Sequence, residues 1–355
     1  MNNNKKYLWS VLFLLLLVAV TFVWFFQEYD FMETMQIVKQ VQFRFIICAV
    51  LLNLLFFLCE AYNLHALLRS LECRVPFRKC VKYVFVECYF CAITPSASGG
   101  QPVQLIYMKD DGIPLSKSTI SLLMIAITYK SSLLVYALFL YLLSKEHFIA
   151  SMGNLKILFY LGILMNIGAV LFMVFALFSE KLIRKVATYF LLVLGRLHII
   201  KDVQKYEQKI HHTMDGYREG AQYIAKNKGL FVRIMVITMI QRTCRFIVPF
   251  LIYLAFHLSD YSVLTLIMLQ SMVSISADML PLPGAVGVSE TCYMRLFKKV
   301  FTGNLLMPSL VLCRGISFYG MVLVSSLFVI AAQIRRMNRK VKSGKKDDSY
   351  DIFIS

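Results

Sequence analysis

The sequence predicts an all-α polytopic membrane protein with about six full transmembrane helices plus two re-entrant broken hairpins, arranged as inverted repeats. Three observations predict it. Of the 355 residues, 59% are hydrophobic and 16% charged, against about 45–50% and about 25% in a water-soluble domain. Several apolar runs approach the ~20 helical residues that cross a hydrocarbon core of about 30 Å. Two further apolar segments are cut by Pro/Gly-rich stretches. This composition excludes a soluble enzyme, a secreted disulfide scaffold and a coiled coil.

The formal net charge is +18. The basic residues cluster between apolar runs, so orientation by the positive-inside rule and attraction to anionic headgroups account for them. No direct nucleic-acid partner is implied. The nine cysteines are an odd number, and Cys88 and Cys91 form a lone CxxC that reads as packing rather than zinc. No metal or cofactor is expected.

In chain order, residues 7–26 follow Lys5 and Lys6 and read as an uncleaved anchor, because polar Gln27-Glu28-Tyr29-Asp30 follows instead of a small-residue cleavage site. Residues 27–44 hold Glu28, Asp30 and Glu33 against Lys39 and Arg44, which suits the outside. A second span over 45–64 returns to Arg69, Arg74, Arg78, Lys79 and Lys82 inside. Residues 83–93 are too short to cross and break into Thr94-Pro95-Ser96-Ala97-Ser98-Gly99-Gly100-Gln101-Pro102. Pro and paired Gly stop a helix. A re-entrant hairpin from the cytoplasmic side is therefore expected, with its irregular backbone buried in protein or lining a wet cavity.

Three spans follow over 118–143, 155–178 and 230–256. Between the last two, about 50 residues from Glu180 to Lys228 carry ten bases and five acids, which suits amphipathic helices on the cytoplasmic surface. Residues 261–280 run into Pro281-Leu282-Pro283-Gly284-Ala285-Val286-Gly287-Val288-Ser289-Glu290. Parity decides how to count them. The last span, 306–334, ends in Arg335, Arg336, Arg339, Lys340, Lys342, Lys345 and Lys346, a tail that belongs inside. It does so only if 261–290 is a second re-entrant hairpin, entering from the outside. Residues 1–336 then form one integral membrane domain, with 180–229 a basic cytoplasmic segment within it. Residues 337–355 form a basic then acidic cytoplasmic tail. One interrupted segment in each half points to inverted repeats with a site near the midplane.

The chemistry-bearing residues sit in these segments. Arg242 and Arg245, at i and i+3, share one helix face beside Gln241. An Arg at the bilayer centre costs at least about 2.5–3.5 kcal/mol. The pair reads as a phosphate-binding fork, or as a structural pair with carboxylates of other helices. Lys130, beside Ser131 and Ser132, reads as a headgroup contact or as the counter-ion of Glu87 or Glu290. Arg314 reads as a further headgroup contact or as a side chain snorkelling outward. Glu87, Asp278 and Glu290 lie at the breaks and serve as charge partners, proton relays or contacts to a cationic headgroup; Glu60 reads as interfacial. Thr94, Pro95, Ser96, Gly99, Gly100 and Gln101, with Pro281, Pro283, Gly284 and Gly287, would let a headgroup approach backbone N–H groups closely. Asp110-Asp111-Gly112 reads as a turn. No HExxH, GxxxxGK[ST] or GxGxxG pattern is present, so an ATP-driven pump is unsupported.

The two interrupted stretches, 94–102 and 281–290, resemble the signature stretches of the lysylphosphatidylglycerol synthase transmembrane-region family, also called flippase-like, and the resemblance extends over about residues 7–336. Gln101 stands where many relatives carry Glu, and Ala285 where Gly is common. The resemblance implies a multi-pass protein of the bacterial inner membrane, akin to the membrane domain of the multiple peptide resistance factor. That domain translocates aminoacylated phosphatidylglycerol and so protects against cationic antimicrobial peptides. It also implies phospholipid as the partner, with a separately encoded synthase and oligomers compatible. A domain that grips tRNA needs well over about 100 folded residues, more than the longest polar stretch here. Lipid translocation is therefore expected. The alternatives are a phosphatidylglycerol lysyltransferase using lysyl-tRNA and a non-transporting membrane scaffold.

Overall fold

The computed structural model describes residues 30–94, 97–143, 156–179, 221–223, 226–278, 280 and 282–343. The expected span over 7–26, most of the 180–229 segment and the end of the tail lie outside the described residues, as do Pro95, Ser96 and Pro281.

Among the described residues every regular element is helical. They are α1 (Phe31–Lys39), α2 (Phe43–Ser70), α3 (Phe77–Ile93), α4 (Gly100–Asp110), α5 (Leu115–Leu143), α6 (Lys156–Phe178), α7 (Lys228–Phe246), α8 (Val248–Ala255), α9 (Val263–Ala277), α10 (Val288–Phe297), α11 (Leu306–Arg314) and α12 (Gly320–Ser343). Five stretches are long and apolar enough to cross a membrane: Phe43–Ser70, Leu115–Phe139, Lys156–Leu177, Lys228–Ala255 and Gly303–Ala332. They match the five expected spans that fall in the described region.

Two spans are interrupted without being ended. Pro249 lacks the N–H that would continue the ladder, and α7 passes to α8 through Ile247. Between α11 and α12 the chain forms a π-turn over Gly315–Tyr319. Such a turn leaves carbonyls without their usual intrahelical donor, and the Asn53 side-chain amide donates to Ile316 O at 2.8 Å.

Two hydrophobic cores are stacked along the helix bundle. The first gathers Leu64, Tyr83, Met108, Leu122, Leu177, Ile234 and Met321; the second gathers Ala49, Leu133, Phe159, Ile252, Leu269, Tyr293 and Leu310. Each spanning stretch passes from one core to the other. By contrast α3 and α4 contribute to the first core, and α9 and α10 to the second. The end of α2 and the start of α5 lie at the same core, so the α3–α4 pair enters and returns. The same holds for α9–α10, between α8 and α11, at the opposite end. Span, broken pair, span thus occurs twice in opposite senses, which is the re-entrant arrangement that parity required.

The breaks meet in the middle. Ala92, Val286 and Phe318 form a small cluster of their own, and α3 packs on the 3-10 turn at Pro283–Ala285. The first arm is longer than the apolar run predicts, because α3 begins at Phe77 and includes Lys79 and Lys82. Outside the bundle, α6 leaves Ile157, Leu164 and Leu171 exposed at seven-residue spacing, a face suited to lipid.

Candidate functional site

The site grows from α7. Its face carrying Gln241, Arg242 and Arg245 turns inward, and Arg242 is only 3% exposed. Arg242 Nε donates to Ser132 Oγ at 3.2 Å and its Nη2 to Tyr129 O at 2.8 Å. Its guanidinium lies 3.5 Å from the centre of the Tyr129 ring, a cation–π placement that offsets part of the desolvation cost. Arg245 Nη2 donates to Ser317 O, in the π-turn, at 3.3 Å, and the guanidinium lies over Phe56. Among the described residues neither arginine is in a salt bridge.

The other cations are neutralised. Lys130 is ion-paired with Asp278, at the end of α9, rather than with Glu87 or Glu290. Arg314 does not snorkel outward: its Nε donates to Glu290 Oε1 at 2.7 Å and its Nη2 to Gly284 O at 3.2 Å. Glu290 Oε2 also accepts from the Gly287 N–H at 2.7 Å and from Ser289 Oγ at 3.1 Å. This carboxylate is therefore occupied in pinning the second break to α11, and a headgroup contact from it is not what the geometry offers.

Local chemistry shapes each break. Gly284 and Gly287 have φ of +58° and +89°, values that favour glycine, and a Cβ on Gly284 would collide with the Phe318 ring. Ala285 also sits at positive φ, +51°, which is strained for a residue with a side chain. Pro283 is buried in the turn. At the first break Thr94 Oγ1 donates to Phe90 O at 2.6 Å and accepts the Gly99 N–H at 2.9 Å, closing the loop onto its own helix. A Cβ on Gly100 would strike Cys91 Sγ, so this glycine serves close packing of α4 on α3. Gln101 lies in the first turn of α4.

A cavity of about 180 Å³ opens between α5, α7, α9, the second break and the π-turn. Arg242, Arg245, Arg314, Asp278, Ser289 and Tyr293 are among its lining residues. Of the expected headgroup contacts, Arg242, Arg245 and Arg314 line it, and Lys130 reaches it through Asp278. The first break does not: Thr94, Gly99, Gly100 and Gln101 are absent from its walls, and Glu87 faces elsewhere. The second hairpin forms the wall, and the first supports it from behind through Ala92.

Sequence reasoning missed the partners. Glu60, read as interfacial, accepts from Gln241 Nε2 at 3.2 Å. Tyr129 and Ser317 act through backbone carbonyls, which no side-chain pattern announces. Ser and Gln inside apolar runs, at Ser132, Gln241 and Gln270, were the available signal.

Outside the spanning stretches, the turn at Asp111 closes the first hairpin. Asp111 Oδ2 accepts from Lys82 Nζ and Tyr83 OH, each at 2.6 Å, and Lys79 lies at 3.4 Å. Burial would raise this carboxyl, but hydrogen bonds from Lys82 and Tyr83 and the charges of both lysines outweigh it and lower the pKa to about 2.

Comparison with known proteins agrees with the architecture. The chain is 22% identical over 327 residues to a UPF0104 membrane protein of Archaeoglobus fulgidus, covering 89% of this chain and 94% of that one. It is 24% identical over 329 residues to a UPF0104 membrane protein of Pyrococcus horikoshii, covering 90% and 96%. Residues 8–325 match the family described as the lysylphosphatidylglycerol synthase TM region. With that match taking in both breaks and the three arginines that line the cavity, the chain belongs to the lysylphosphatidylglycerol synthase TM-region family of integral membrane proteins.

Proposed function

We propose that this protein binds the headgroup of an anionic or aminoacylated phospholipid, such as lysyl-phosphatidylglycerol, in the Arg242–Arg245–Arg314 cavity and moves the lipid between leaflets. One observation carries this reading: Arg242 and Arg245 line a cavity, and among the described residues no carboxylate lies within salt-bridge distance of either. Guanidinium forks match phosphate oxygens bidentately. A phosphate would thus supply the charge that the neighbouring helices withhold. Asp278, shared between Lys130 and the cavity, would meet the amine of an aminoacyl group. The acyl chains stay in lipid, and rocking of one span–hairpin–span unit against the other exposes the site to each leaflet in turn. The protein acts in the cell membrane with both termini cytoplasmic and contributes to surface charge and to resistance against cationic peptides.

The test is a leaflet-resolved assay of labelled phosphatidylglycerol in vesicles holding the purified chain. Arg242→Ala should abolish the protein-dependent movement while the protein still folds. Unchanged movement in that variant would sink the proposal. The family description keeps lysyl transfer as a second reading. Lipid extraction from a host that makes no lysyl-phosphatidylglycerol decides it, because the lysyl lipid appears on expressing this chain only if the chain itself carries the transferase.

A further inference from the structure

Helix α9 is buried at every position from Leu266 to Ala277 except two, Gln270 and Ser274. Asp278, four residues further on, is the next accessible position. A spacing of four places side chains on one face of a helix, and all three of these line the cavity. Eight helical residues rise about 12 Å. The cavity therefore follows α9 for about two turns, with a polar side chain at each step and buried apolar residues on the other faces.

Other polar side chains of the walls are engaged. Asp278 is ion-paired with Lys130, Ser289 Oγ donates to Ala285 O and to Glu290, and Tyr293 OH donates to Ser309 Oγ. Gln270 and Ser274 differ. Neither side chain makes a hydrogen bond with the described residues, and neither has its polar atoms sealed off as those of Gln104 are. Amide and hydroxyl therefore reach the open space of the cavity. For Ser274 this departs from the habit of helical serines, which return the hydroxyl to a carbonyl three or four residues back. Ser132, Ser271 and Ser317 all do so.

The chemistry of these two groups defines what complements them. Phosphodiester oxygens only accept hydrogen bonds, and Arg242 and Arg245 already bring donors to the cavity. A carboxamide both donates and accepts, and so does a serine hydroxyl. An alcohol does both as well, whereas an ammonium only donates. We propose that Gln270 and Ser274 are specificity-determining residues that hydrogen-bond hydroxyls on the headgroup beyond its phosphate. The cavity then selects a polyol phosphodiester over one of equal charge without hydroxyls. This selection rests on the headgroup reading proposed above. A site that hydrogen-bonds a hydroxyl rejects the analogue lacking it, because its own polar groups are left unpaired. Here water can enter the cavity and fill part of that gap, so the discrimination is on the order of tenfold to a hundredfold, below that of a fully closed site.

The test compares two short-chain lipids on the purified full chain by calorimetry. Phosphatidylglycerol and phosphatidylpropanol carry the same charge and the same number of headgroup carbons, and only the first has free hydroxyls. Wild type should bind phosphatidylglycerol about 10- to 100-fold more tightly. Gln270→Leu and Ser274→Ala should each shrink that ratio, and the double variant should bring it close to one while still binding phosphatidylpropanol. Equal affinities in the wild type, or a ratio that survives in the double variant, overturn the proposal. If the double variant loses both lipids, its fold is suspect and the ratio for Ser274→Ala, which removes one oxygen atom, decides instead. Arg242→Ala should weaken both lipids alike, because the phosphate is common to them. Failure of both lipids to bind wild type, or unchanged binding of both in Arg242→Ala, overturns the headgroup reading and this selection with it.

Discussion

Replacing Glu290 removes three hydrogen bonds at once, and the structure sets the size of the effect. The carboxylate is 3% exposed and accepts from Arg314 Nε, the Gly287 N–H and Ser289 Oγ. Without it Arg314 still has Gly284 O at 3.2 Å and its contacts with Phe318 and Tyr319. Breaking a buried pair by removing one partner costs about 3–5 kcal/mol. Arg314 borders the cavity, so water relieves part of that, and about 3 kcal/mol is the appropriate end of the range. Loss of the helix cap at Gly287 adds about 1 kcal/mol, giving about 4 kcal/mol for Glu290→Ala. Glu290→Gln keeps an oxygen for the Gly287 N–H, so it should cost about 3 kcal/mol. Arg314→Met leaves Glu290 its two remaining donors and should cost about 2 kcal/mol. Because both single variants lose the same contact, the double variant Glu290→Gln with Arg314→Met should fall about 2 kcal/mol short of their sum. Equilibrium unfolding of the four proteins in detergent micelles measures this. Additivity within about 0.5 kcal/mol would refute the assignment of Glu290 as the anchor of the second break.

Three further outcomes are expected. Gly162→Ala should destabilise by about 1–3 kcal/mol, because its Cβ would strike the Ile275 carbonyl oxygen where α6 lies against α9, whereas Gly168→Ala on the same helix meets nothing and should be neutral or better; thermal unfolding compares the two. Asp111 has a folded pKa of about 2 against an ordinary 3.8, so its contribution is fully present above about pH 4 and is lost as pH falls toward about 2. The stability gap between wild type and Asp111→Asn should close over that window, and a gap constant with pH would count against the Lys82–Asp111 tie. Arg242→Lys keeps the charge but not the fork, and should lose roughly 10- to 100-fold in affinity for a short-chain phosphatidylglycerol by calorimetry.

Class, span positions and both breaks were legible because each follows from local sequence. A run of about 20 apolar residues crosses a bilayer whatever surrounds it, and Pro281-Leu282-Pro283-Gly284 interrupts a helix wherever it lies. Charge between runs predicted the parity that makes residues 261–290 re-entrant, and the two stacked cores bear it out. The start of the first hairpin was misplaced because a basic face at Lys79 and Lys82 breaks the apolar run without breaking α3.

Pairing was a different matter. Lys130 and Asp278 are 148 residues apart, Gln241 and Glu60 are 181 apart, and Arg242 and Ser132 are 110 apart. A spanning helix is apolar on nearly every side, so its own sequence fixes little about which way a lone charge points. Only packing sets its rotation. The amino-acid sequence by itself therefore determined that apolar spans and their breaks carry charges of both signs, while the tertiary structure decided which of them pair. It gave Asp278 to Lys130, Glu290 to Arg314 and Gln241 to Glu60, and left Arg242 and Arg245 facing the cavity, because a buried charge finds its partner through space and not along the chain.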